Sequence, residues 1–182
     1  MAPKIDPKKP EPTDAEKRTR LHEILAGERS VMMFSHDGAG EIAGRPMALV
    51  HIEDDAKLFF TTNIDSEKIA ELKRDPRITI SIQTPHTQAV VMGAAQISQD
   101  RALIDRLWRD EWKLYFHGKD DPEIAIVTVA PEKGTYWDQS RLQGLSFMYR
   151  MLKAKLTGSE MEMQPQDAAQ VNLGPGARPT QH

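Results

Sequence analysis

The chain has 182 residues, 39% of them hydrophobic and 28% charged, and a net charge of −3. That length allows one domain with a self-sufficient core, and the mixed charge gives no electrostatic reason to expect nucleic acid or an anionic membrane as partner. Cysteine is absent, which excludes disulfides, thiolate metal sites and cysteine nucleophiles.

Residues 1–13 carry four prolines among lysines and small polar residues and read as a flexible arm. The opening MAPKIDPKKPEPTDAEK lacks the apolar core of a secretory signal. No apolar run approaches the roughly 18–20 residues of a membrane span, so a cytoplasmic location is expected. From Asp14 the pattern turns helical. Leu21, Ile24 and Leu25 follow the cap candidates Thr13 and Asp14, and Gly27 can end the helix.

Strands are predicted next. Val31–Phe34 is closed by the turn-rich stretch from His36 to Gly40, and Met47–Ile52 and Lys57–Thr62 form a hairpin across Glu53-Asp54-Asp55. Ser66–Arg74 reads as a helix with Ile69 and Leu72 on its apolar stripe, stopped by Pro76. Arg77–Thr84 alternates Ile78, Ile80 and Ile82 with polar neighbours, and Gln88–Ser98 is a strand in which Gly93 marks a bulge or a close approach. A helix is predicted over residues 100–116, then two strands, Ile124–Ala130 and Thr135–Asp138. Leu145–Leu156 reads as an amphipathic helix, and the tail from Gly158 as polar and mobile.

About six strands with tight connections imply an antiparallel barrel with helical covers, a β-rich α+β fold. A parallel sheet would need a crossover helix between successive strands. The expected organisation is an arm at 1–13, a barrel domain at 14–140, a helix at 141–157 and a tail at 158–182.

The stretch Phe59-Phe60-Thr61-Thr62-Asn63-Ile64-Asp65-Ser66-Glu67-Lys68 is the most informative for chemistry. It ends a strand in two hydroxyls and opens a helix with another hydroxyl and a lysine. Free N–H groups at a helix start favour an anion, and Ser66 and Lys68 add a donor and a cation. Arg45 could bring a forked guanidinium to the same anion. An ordinary N-cap at Asp65 or Ser66 beside a solvated lysine is the competing reading, and Glu67 weakens the positive field.

The order of Gly44-Arg45-Pro46-Met47, Phe-Thr-Thr-Asn-x-x-Ser-x-Lys and Gln88-Ala89-Val90-Val91-Met92-Gly93 resembles the pyridoxamine-phosphate-oxidase-like split barrels. The run from Trp112 to Pro122, with Thr135-Tyr136-Trp137-Asp138, is similar to their bacterial general-stress branch. The resemblance spans roughly residues 15–140. It implies a six-stranded split barrel, paired as a homodimer with FMN in two interface grooves. Arg45, Pro46 and Met47 would line the flavin, Thr61 and Thr62 would lie near the ring and ribityl chain, and Ser66 and Lys68 would hold the phosphate. Gln88 matches a glutamine that contacts the flavin, and Trp112 or Trp137 would reach the ring from the other subunit or else serve as core or interface aromatics.

The chain departs from the vitamin-B6 oxidases at Val50, where they carry lysine, and at Glu67-Lys68, where they carry Arg-Lys. Their C-terminal substrate motif is only hinted at by Trp137 and Arg141-Leu142-Gln143. Pyridoxamine phosphate oxidation is therefore not expected. The leading expectation is an FMN-dependent oxidoreductase acting on a small substrate or a nicotinamide donor (NADH or NADPH). The alternatives are a non-turnover flavin sensor or reservoir, or a deazaflavin or haem ligand, for which His86 or His117 are loose axial candidates. The six histidines show no metal-ligand spacing, and no metal site is expected. No catalytic acid or base is assignable.

Overall fold

The computed structural model describes residues 12–138 and 168–174. Helix α1 (Asp14–Ala26) opens on a capping box in which Thr13 and Glu16 satisfy each other's backbone N–H groups. The strands are β1 (Ser30–His36), β2 (Ile42–Ile52), β3 (Leu58–Asn63), β4 (Arg77–Gln83), β5 (Thr87–Ser98) and β6 (Ile124–Asp138). They pair antiparallel in the order β3-β2-β1-β4-β5-β6, and β6 returns to β3, closing a six-stranded barrel. Helix α2 (Glu67–Arg74) follows β3, and α3 (Arg101–Leu107) follows β5. The predicted fold class is the observed one.

Alternation decides which side chains fill the barrel. Val31 and Met33, Met47, Leu58 and Phe60, Ile78, Ile80 and Ile82, Ala89 and Val91, and Val127 and Val129 point inward into one core with α1 and α2. The opposite parity of β3 and β6 supplies Phe59, Ile124 and Ile126 to a second cluster outside the barrel.

The expected helix over residues 100–116 is two pieces. It leaves helical geometry at Trp108, and a 3-10 turn over Asp110–Leu114 follows. Ile104 and Leu107 of α3 and Trp112 of the 3-10 turn all meet the outer cluster across that break. The two strands expected after residue 124 are one, β6, with a bulge. Gly93 faces Pro131 and Met92 faces Lys133, so Glu132 is the extra residue. The inward parity changes there from Val127 and Val129 to Tyr136, which breaks the sequence alternation. Gly93 also meets the expectation of close approach, since a Cβ there would strike the Ala130 carbonyl.

The stretch expected to be a mobile tail contains a seventh strand, β7 (Ala168–Asn172), paired with β6. β3 uses β6 from Ile124 to Val129 and β7 uses it from Lys133 to Trp137, while β5 spans the other edge. The bulged Glu132 carbonyl accepts the N–H groups of Leu173 and Gly174 at 2.7 and 3.0 Å. A bulge in β2, between Leu49 and His51, likewise turns the Val50 carbonyl outward, and the Arg109 guanidinium donates to it at 2.6 Å. The expected helix over Leu145–Leu156 and the arm up to residue 11 lie outside the described residues.

Candidate functional site

Helix α2 closes one end of the barrel. Its stripe places Ile69 and Leu72 in the core, and the same inward side carries Lys68 and Glu71. Inward parity brings Ser35 from β1, Arg45 from β2 and Thr62 from β3 to that end. With Ser66 at the start of α2, six polar side chains therefore meet where the apolar core stops.

Their hydrogen bonds form two groups. Arg45 forks onto Glu71, Nη1 to Oε2 at 2.7 Å and Nη2 to Oε1 at 2.9 Å. Ser35 Oγ donates to Glu71 Oε2 at 2.6 Å and accepts from Arg45 Nη1 at 3.3 Å. In the second group Lys68 Nζ donates to Thr62 Oγ1 at 2.9 Å, and Thr62 Oγ1 lies 3.3 Å from Ser66 Oγ. Ser66 occupies the N-cap position of α2, yet its side chain makes no capping bond to the helix. The Ser66 N–H is taken by the Asn63 carbonyl and the Ile69 N–H by the Ser66 carbonyl, so among the described residues the N–H groups of Glu67 and Lys68 are the ones left for another acceptor.

Charge follows the same division. The Arg45 hydrogen bonds hold the Glu71 carboxyl below its ordinary range, against the opposing effect of burial. Burial pushes the Lys68 ammonium below the usual lysine value, the nearby Arg45 charge adds to this, and Glu71 and Glu67 act the other way. Arg45 is neutralised by Glu71, whereas Lys68 has no carboxylate within ion-pair distance among the described residues. An uncapped helix start, two hydroxyls and an unneutralised, half-buried cation make a cradle for a phosphate-sized anion.

The other sequence candidates are distributed around the barrel. Met47 is inside, 8% exposed, and Pro46 is outside, opposite Met32 of β1. Thr61 projects away from Thr62 on the outer side of β3, where its buried hydroxyl has no partner among the described residues. Gln88 and Trp137 face each other across β5 and β6, on the wall opposite β2 in the strand order. Trp112 is 5% exposed in the outer cluster and stacks edge-on against Trp108 at 5.5 Å within the one chain. Its core reading is the one the packing shows.

His86 lies exposed in the β4–β5 turn, and His117 is a loop residue whose Nδ1 is 3.1 Å from Asp121. Neither joins the polar barrel end. Sequence reasoning missed Ser35 and Glu71. The only signal for Glu71 was its place three residues after Lys68 on the inward face of a short helix.

The closed antiparallel barrel with its flanking helices defines a class, the split β-barrel, and similarity places the chain within a family of it. The chain belongs to the pyridoxamine 5'-phosphate oxidase-like family, whose model matches residues 16–162. It is 24% identical over 111 residues to General stress protein 26 of Bacillus subtilis, covering 55% of this chain and 79% of that one. It is 30% identical over 122 residues to Protein bli-3 of Neurospora crassa, covering 60% of this chain and 58% of that one. The structure of a general stress protein 26 from Jannaschia sp. CCS1 superposes with a TM-score of 0.66 at 23% identity, over 88% of this chain and 99% of the other. A haem-binding protein from Mycobacterium smegmatis shares the fold at a TM-score of 0.55 and 14% identity, over 70% of this chain and 55% of that one. Among the described residues no helix is long and apolar enough to cross a membrane.

Proposed function

We propose that this protein is a cytoplasmic, homodimeric FMN-binding protein of the general-stress type, acting as an oxidoreductase on a small substrate. The observation that carries the reading is the Lys68–Thr62–Ser66 cradle at the uncapped start of α2. It suits the dianionic phosphate of FMN through a cation, hydroxyls and backbone N–H groups together. When bound, the flavin supplies the electron-transfer chemistry, and the residues here bind and orient it.

The dimer is supported by the outer face of the barrel. Met32, Pro46 and Met92 lie exposed there, with Trp137 on β6 also exposed, and no described helix covers Met32 or Met92. Because Gln88 and Trp137 sit on the wall away from Arg45 and Lys68, a second copy is the natural source of a glutamine and an aromatic face for the same ligand. Val50 and Glu67, in place of the basic residues of B6 oxidases, speak against pyridoxamine phosphate as substrate.

Titration of the purified protein with FMN, followed by visible absorption and by mass in solution, tests this. A perturbed flavin spectrum in a dimer, abolished by Ser66→Ala combined with Lys68→Ala, is expected. No FMN binding would overturn the cofactor assignment, and unchanged affinity in the double variant would overturn the phosphate site. Flavin reduction by NADH or NADPH with acceptor-dependent turnover distinguishes an oxidoreductase from a flavin store.

A further inference from the structure

A carboxylate in the wall of an anion site is electrostatically unfavourable unless it has another task. Glu71 is such a group. It sits one helical turn beyond Lys68, 8% exposed, among the residues assigned to the phosphate. Both of its oxygens are occupied, Oε1 by Arg45 Nη2 and Oε2 by Arg45 Nη1 and Ser35 Oγ.

From this geometry we infer that Glu71, braced by Ser35, is a positioning residue that fixes the Arg45 guanidinium and so sets the affinity of the site for a phosphate ester. The inference rests on the FMN reading above. The fork engages both terminal nitrogens of Arg45 from the α2 side, and a two-point bond fixes the plane of a guanidinium as well as its position. Ser35 ties the carboxylate to β1, so the plane is referenced to the barrel and not to a mobile side chain. Arg45 and Lys68 sit close enough for the charge of one to depress the other, which places both cations at one end of the barrel. Glu71 also neutralises Arg45 in the free protein. Without it, two cations would face each other there and Lys68 would lose its proton still more readily.

The test measures FMN and riboflavin affinities for the whole protein by fluorescence quenching, with thermal melts alongside. Glu71→Gln and Ser35→Ala are compared in the native background and in Arg45→Ala. Glu71→Gln is expected to weaken FMN about tenfold, the size of one hydrogen bond to a charged group, with riboflavin unchanged. Ser35→Ala weakens FMN by a smaller factor. In the Arg45→Ala background neither substitution has any further effect, which a merely structural role could not reproduce. An unchanged or raised FMN affinity in Glu71→Gln, an equal loss for FMN and riboflavin, or a full further loss on top of Arg45→Ala would overturn the inference. If Glu71→Gln lowers the melting temperature too far to assay, Ser35→Ala carries the same comparison. A native protein that binds no FMN would instead remove the reading on which the inference stands, so the two failures are distinct.

Discussion

α2 and the α3–3-10 segment lie against strands of one barrel, yet they bury different chemistry. α2 brings Glu71 and Lys68 inward beside Ile69 and Leu72, and β1, β2 and β3 answer with Ser35, Arg45 and Thr62. α3 and the 3-10 turn bring Ile104, Leu107 and Trp112 onto Val50, Phe59, Ile124 and Ile126. The polar bonds on that side stay at its margin, where Arg109 holds the Val50 carbonyl and Arg106 reaches Glu53 while lying 5.8 Å from the Phe59 ring centre. Apolar cover stabilises by area removed from water and tolerates small shifts. A buried ion pair is a poor source of net stability but fixes orientation. One helix therefore seals a wall, and the other builds a site.

Substitutions can break this contrast. Trp112→Ala has the largest expected effect, about 3–5 kcal/mol of unfolding free energy, since it empties the outer cluster. Denaturant melts should show that loss while FMN affinity stays as in the native protein. A loss of FMN affinity in a protein that still folds would mean that the outer cluster belongs to the site. Arg109→Ala follows, at about 1.5–3 kcal/mol, because it leaves the bulged Val50 carbonyl without its charged donor.

The smallest stability effect is expected for Lys68, and its pH dependence sharpens the comparison. Its pKa is lowered by burial, so the unfolded chain keeps this proton to higher pH than the folded one. Stability therefore rises slightly as pH passes through the window between the lowered and the ordinary lysine values. Affinity for FMN should move oppositely, falling as pH rises through the lowered value, because the cation facing the phosphate is lost there. Affinity measured across the alkaline range, with Lys68→Met as the control lacking the transition, checks this. An unchanged affinity up to the ordinary lysine value would mean that Lys68 does not face the ligand.

Much of the barrel was legible in the sequence because alternation and turn chemistry act over a few residues. Ile78, Ile80 and Ile82 announce β4, Glu53-Asp54-Asp55 the β2–β3 hairpin, and Thr13 the start of α1. The pieces that escaped depend on distant partners. The bulge at Glu132 made β6 look like two strands, since the extra residue reverses which parity faces inward. β7 is short, and it is the edge of β6 together with the core that receives Ala169 and Val171 that makes Ala168–Asn172 a strand. The site divides in the same way. Thr62, Ser66 and Lys68 belong to one continuous stretch and could be read together, whereas Ser35 and Glu71 acquire meaning only when β1, β2 and α2 meet.

The bulge at Glu132 also bears on the order in which the molecule assembles. On one side of it β6 completes the barrel with β3, and on the other it receives β7 across the intervening residues 139–167. Closure with β3 does not require β7, so the barrel can form first and take up its seventh strand as a later step. Opening of the native protein should run in reverse, with β7 releasing as a unit at lower free energy than the barrel it borders. The Glu132 carbonyl, which bonds Leu173 and Gly174, marks the point where that edge of β6 passes from β3 to β7.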